Sequence, residues 1–222
     1  EPSLKAQVTE RLSGLSSQLA PAYGVTAEQP SWHQSAHALV SLARSAPERA
    51  DQQLPRFATH ATWWVRMYAA RAATTLKQTA LLAQLAYDAS DNVREAAIRG
   101  LSATSRHGAD SAYIAALGRK DYQLLIAAAR ALDSTPNPAP ALAALNVALQ
   151  RVTAETRETS RDARMALLQR IGTLGNAAQV SQIQLYLYDW DPAIAAETAR
   201  IIASWTGTAQ DAAPTSLPYP QL

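Results

Sequence analysis

Two histidines, His33 and His37, stand four residues apart in the string His33-Gln34-Ser35-Ala36-His37. On a helix this spacing puts both imidazoles on one face, one turn apart, as a pair of metal ligands requires. A zinc hydrolase built this way needs a carboxylate base beside the first histidine, and Gln34 occupies that place. Without the carboxylate there is no proton acceptor, and the other histidines, His60 and His107, supply no evident third ligand. Metal binding through His33 and His37 is therefore kept as an alternative to the simpler reading of two surface imidazoles. No Gly-rich phosphate loop, paired-carboxylate arrangement or nucleophile motif accompanies them. The absence of cysteine excludes disulfides, thiolate metal sites and a cysteine nucleophile. The expectation is a chain that is not an enzyme and calls for no cofactor.

Aromatic residues carry the more positive signal. Trp63, Trp64 and Tyr122 fall in the first turns of expected helices, while Tyr186, Tyr188 and Trp190 lie at the end of a later helix or in the turn after it. If equivalent turns line up, these six residues share one edge. Neighbours on a helix point about 100 degrees apart, so Trp63 and Trp64 cannot both enter one core, and at least one is expected to be exposed. Trp and Tyr anchor protein interfaces more often than other residues, which makes this edge the expected binding surface for a protein or peptide. Packing of the same rings between helical units is the plainer alternative. Trp32 and Trp205, with apolar neighbours at helical spacing, read as core or end-cap residues.

The elements that must position these side chains are started in phase. Thr62, Ser90, Asp121, Ser160 and Asp191 are cap-type residues, each three positions ahead of an apolar anchor: Val65, Val93, Leu124, Ala163 and Ile194. Small or apolar residues follow each anchor at plus four (Ala69, Ala97, Ala128, Leu167, Thr198) and, with the helical period, at plus eight (Ala73, Leu101, Leu132, Ile171, Ile202). A cap side chain accepting a first-turn N–H stabilises its helix by about 1 kcal/mol. The caps recur at intervals of 28, 31, 39 and 31 residues, a period that marks stacked repeats. Long helices, called A, are expected over 63–76, 91–104, 122–133, 161–172 and 192–205, and shorter ones, called B, over 78–88, 110–118, 139–151 and 176–188. Before them come a helix over 3–19 ended by Pro21, a connection over 23–30, and a degenerate first unit with Trp32 in the anchor place and Leu54 and Phe57 in its second helix. In the 39-residue interval, Pro136, Pro138 and Pro140 and a polar run over 153–159 are expected to lengthen the loops around one B helix. The fold class is all-α, an α-α superhelix of about six helix pairs over 1–206, followed by a Pro/Ala/Thr-rich linker or tail over 207–222.

Composition sets broad limits. The 222 residues are 48% hydrophobic and carry a net charge of +2, which suits a sizeable core and names no charged partner. No apolar run is long enough to span a bilayer, so no membrane span is expected. The B segments 78–88, 110–118, 139–149 and 176–188 contain no Lys or Arg, whereas cations collect on the A helices. Arg66, Arg94 and Arg164, each directly after an anchor, would form a ladder facing either a phosphate backbone or the acids of neighbouring units, with Asp91 and Asp121 as the expected partners. Neither compartment nor oligomeric state is encoded in these patterns.

The run Ser90-Asp91-Asn92-Val93-Arg94-Glu95-Ala96-Ala97-Ile98-Arg99-Gly100-Leu101 resembles the long helix of HEAT-like repeats, particularly the short bacterial kind related to phycobilisome-lyase repeats. Asp121-Tyr122-Gln123-Leu124 and Asp191-Pro192-Ala193-Ile194 match the start of that pattern, with Leu125 and Ala195 where the arginine would stand. The resemblance covers about residues 30–206 and implies a solenoid whose B helices line the concave side. HEAT-like DNA glycosylases need a basic concave surface there, so the cation-free B segments argue against nucleic acid. That class is retained as an alternative to a non-catalytic protein-protein interaction scaffold. Ser204-Trp205-Thr206-Gly207 running into a proline-bearing segment is also similar to bacterial proteins in which HEAT repeats precede a cyclophilin-type peptidyl-prolyl isomerase. This second likeness implies that the chain is the HEAT region of such a protein.

Overall fold

In the computed structural model, residues 3–19 and 32–215 are described; the expected connection over 23–30 and the tail beyond Thr215 lie outside them. Among the described residues there are twelve α-helices and no strand, an all-α architecture of successive helix pairs. The chain divides into two compact units, Glu1–Ala112 and Tyr113–Leu222. In the first, α1 (Leu4–Ser17), α2 (Trp32–Ser45), α3 (Pro47–Ala58), α4 (Trp63–Leu76), α5 (Thr79–Leu85) and α6 (Asp91–Thr104) follow one another. There α2 packs on α1, α3 and α4, and α4 in turn packs on α5 and α6. Helix α7 (Asp110–Ala116) crosses the division. The second unit holds α8 (Tyr122–Ala131), α9 (Pro138–Ala154), α10 (Arg161–Leu174), α11 (Val180–Ile183) and α12 (Pro192–Thr206), with α10 packed on α8, α9 and α12.

Apolar phase produces this packing. All fifteen residues at the anchor, plus-four and plus-eight places are at most 2% exposed, from Val65 through Ile202. Each large aliphatic side chain among them contributes roughly 1.5–3 kcal/mol by leaving water. Within this register Gly100 sits where α6 meets α4 and α5: a Cβ there would fall 2.3 Å from Thr74 Oγ1 and 2.9 Å from Leu82 Cδ2. Glycine therefore sets how closely these helices approach.

Three expectations change. Helix α9 is no short B helix: at 17 residues it is the longest among the described residues, because Pro138 occupies its first turn and nothing before Ala154 interrupts it. Much of the 39-residue interval thus enters the helix instead of its loops. The last B segment is instead broken into the 3₁₀ turns Ala177–Gln179 and Gln184–Tyr188 on either side of the single-turn α11.

The third concerns the caps. Asp121 Oδ1 accepts from Leu124 N at 2.8 Å and Asp191 Oδ1 from Ala193 N at 2.9 Å, as expected. Thr62, Ser90 and Ser160 precede their helices but make no such side-chain bond. For two of them the backbone turn is organised one step upstream. His60 Nδ1 accepts from Thr62 N at 3.0 Å and Asp88 Oδ1 from Ser90 N at 2.8 Å, and Asp189 Oδ1 does the same for Asp191 N at 2.8 Å. Ser160 is the last residue of the 3₁₀ turn Glu158–Ser160, in helical conformation, and its hydroxyl donates to the Arg157 carbonyl while accepting from Arg164 Nε.

Helix α12 closes on Gly207, whose φ of 71° is the left-handed conformation of a helix C-cap. The described part of the expected tail is non-helical but attached: Ala213 N donates to Leu187 O at 2.9 Å and Thr215 Oγ1 to Tyr188 O at 2.8 Å.

Candidate functional site

Helix phase places an aromatic ladder on the first unit. With Val65 pointing into the core, Trp64, Tyr68 and Arg71 fall along one flank of α4, and Trp63 lies farther round toward solvent. That flank meets the start of α2, where the rings of Trp32 and Trp64 stack at 5.4 Å between centroids and 12° between planes. His33 stacks on Trp32 at 3.4 Å, and Trp63 leans on Trp64 at 5.2 Å and 43°. One turn on, Tyr68 meets the edge of Trp32 at 6.4 Å, and its hydroxyl lies 2.9 Å from His37 Nε2. The Arg71 guanidinium covers the Tyr68 ring at 4.8 Å. Trp32, Trp63, Trp64 and Tyr68 are half-buried, while His33, His37 and Arg71 are exposed.

Trp32 is thus a half-buried member of the ladder, stacked on Trp64, and not a core residue. The two histidines are engaged separately, one by a ring face and the other by a phenol. No group of three metal-ligating side chains occurs among the described residues.

The remaining aromatics of the expected edge belong to the second unit and do different things there. Tyr122 donates its hydroxyl to Glu155 Oε2 at 2.5 Å. Tyr186 is in the core, 2% exposed, and burial pushes its phenol up to about 12. Tyr186 is therefore removed from the contact surface: the 3₁₀ turn Gln184–Tyr188 rotates it inward and leaves Leu185 and Tyr188 outside. Trp190 lies under the Arg164 guanidinium at 4.2 Å. Tyr188 is exposed, with the C-terminal segment bonded to its carbonyl.

The arginines after the anchors form internal ion pairs: Arg66 and Arg164 take acids other than the expected Asp91 and Asp121, and Arg94 pairs with Asp91 of its own helix instead of an acid of a neighbouring unit. Arg66 grips Asp88 through Nε at 2.7 Å and Nη2 at 2.8 Å, and its Nη1 donates to the His60 carbonyl at 2.7 Å. Arg164, wholly buried, places Nη1 2.7 Å from both oxygens of Asp189, while its Nη2 is 3.7 Å from Asp191 Oδ2. Arg94 donates to the Asp88 carbonyl and is 3.8 Å from Asp91 of its own helix, and Asp121 serves as a cap. The acid two residues before a cap wins because its side chain turns under the N-terminus of the next helix and receives a backbone N–H there. Burial tends to raise the Asp88 carboxyl, but the Arg66 hydrogen bonds, the Ser90 N–H and the charges of Arg66 and Arg94 together hold it below its ordinary value. The signal was present as Tyr87-Asp88-x-Ser90 and Tyr188-Asp189-x-Asp191, a repeated Tyr-Asp two positions ahead of the cap.

A groove of about 680 Å³ on α8, α10 and α12 carries charges of both signs, including Arg130, Asp133, Asp162, Arg170, Glu197 and Arg200. Arg170 is bonded to Asp133 and to the Ala129 carbonyl, and Arg200 to Glu197, so the groove presents no excess of either sign.

No helix among the described residues is long and apolar enough to cross a membrane. No family model matches the chain, and no curated protein matches it in sequence. Among solved structures, the crystal structure of an engineered protein is similar over 89% of this chain and 97% of its own, with a TM-score of 0.55 and 15% identity. At that identity the likeness speaks for the helical fold alone.

Proposed function

We propose that this chain is a non-catalytic interaction scaffold of HEAT-like repeats that binds a protein or peptide on the aromatic ladder of α2 and α4. The observation that carries the reading is the incomplete burial of four large rings, Trp32, Trp63, Trp64 and Tyr68, on two packed helices. The ion-pair clusters, by contrast, are closed within the protein. Rigid rings on helices lose little side-chain freedom on binding and offer large apolar area with a polar edge, as interface anchors do.

Random peptides displayed on phage and selected on the immobilised chain test this. Among the described residues Trp63 has a ring contact with Trp64 alone, so its removal leaves the Trp32–Trp64 stack and the Tyr68 contacts in place. Trp63→Ala is expected to weaken the selected peptides by about 2 kcal/mol, roughly thirtyfold, with the helical circular dichroism and melting curve of the parent. Selected peptides that bind parent and variant equally would remove the ladder as the contact surface.

A further inference from the structure

The charge around the ladder narrows the partner. Helices α2 and α4, 14 residues each, contain no Asp or Glu, while they carry Arg44, Arg66, Arg71, His33 and His37. Acids on the elements packed against them are mostly engaged. Asp88 is held by Arg66, Glu95 of α6 accepts from Arg99 at 2.8 Å, and Asp51 of α3 accepts from the Gln78 amide at 2.6 Å. Glu10 of α1 pairs with Arg49 of α3 at 2.6 Å. Glu48 stands in the first turn of α3, just past the C-terminal end of α2 and hence far from Trp32.

Arg71 differs from Arg66 of the same helix, which Asp88 holds. Its Nη2 is 3.8 Å from the Met67 thioether, its guanidinium plane lies over Tyr68, and it has no carboxylate partner among the described residues. It is exposed beside the rings, with five N–H donors held in a fork that fits a carboxylate. Two neighbouring helices without acids, bearing exposed aromatic area and an arginine ready for a carboxylate, complement an acidic apolar segment and repel a basic one.

We infer that the ladder takes an acidic peptide segment, an apolar or aromatic side chain seated on Trp63 and Trp64 and a carboxylate on Arg71. This rests on the scaffold reading above. Arg71 gives specificity and salt dependence, and the rings give most of the contact area.

The phage selection above separates the two claims when its peptides are synthesised with a fluorophore and titrated against the full chain, Trp63→Ala, Arg71→Gln and Arg71→Lys. Expected are peptides with net negative charge, whose affinity falls about tenfold in Arg71→Gln, recovers in part in Arg71→Lys, and weakens with added salt in the parent more than in Arg71→Gln. Peptides that need Trp63 but have no acidic excess, or that ignore Arg71→Gln, would overturn the acidic-segment inference and leave the scaffold standing. Absence of any peptide that needs Trp63 would overturn the scaffold reading itself. A labelled oligothymidylate that binds through Trp63 and Arg71 more tightly than every selected peptide would also overturn the inference, replacing carboxylates by phosphates and peptide side chains by stacked bases.

Discussion

Replacing Asp189 with alanine removes both oxygens that hold the wholly buried Arg164 guanidinium, each 2.7 Å from Nη1, and also the acceptor for Asp191 N. Deleting one member of a buried pair costs about 3–5 kcal/mol, because the remaining charge stays desolvated. Asp191 Oδ2, 3.7 Å from Arg164 Nη2, is close enough to shift toward it, which places the cost at the lower end, about 3 kcal/mol. A protein of this length loses roughly 2–4 °C in melting temperature per kcal/mol, so a drop of about 6–12 °C is expected. Urea unfolding followed by helical circular dichroism reads the stability of the whole chain. In the double variant Arg164→Met/Asp189→Ala no charge is stranded, and the loss should be smaller than in Asp189→Ala alone. A single variant within about 1 kcal/mol of the parent would refute the idea that this pair organises the junction of α10 and α12.

Three further outcomes are expected. Gly100→Ala gains helix propensity but drives a methyl to 2.3 Å from Thr74 Oγ1, so a net loss of about 1–2 kcal/mol is expected in thermal melts, partly recovered by adding Thr74→Ala. Val93→Asp puts a carboxylate at a position with 0% exposure; loss of the cooperative unfolding transition is expected, and parental melting would show that the helix phase is misassigned. The Asp88 and Asp191 carboxyls are both held below their ordinary value of 3.8 in the folded chain. Their stabilisation is complete above the unfolded pKa and disappears as the pH falls from there through the lower folded values. Stability should thus fall on acidification below about pH 4, and Asp88→Asn should flatten that dependence in urea titrations at several pH values.

The helical register was legible residue by residue, because burial of an apolar stripe depends on spacing that a sequence displays directly. Anchors such as Val93 and Ile194 and the starts of α4, α6 and α12 are local matters, settled within one or two turns. Capping was less legible at Thr62 and Ser90. There the deciding acceptors, His60 and Asp88, lie upstream, and one of them is recruited because an arginine of the preceding A helix reaches it. The candidate site shows the same division. Trp63 and Trp64 were visible as a pair that one core cannot absorb, whereas the part of Trp32, Tyr68 and Arg71 depends on how α2 lies beside α4.

Sequence alone determined that this protein is helical, where α4, α6, α8, α10 and α12 start and which face of each of these five enters the core, since these follow from periodicity and the chemistry of neighbouring residues. Tertiary structure decided which rings meet, which acid each arginine takes, and that Tyr186 is inside while Tyr188 is outside. Those outcomes depend on contacts between residues far apart in the chain, through distances and angles that no local spacing encodes.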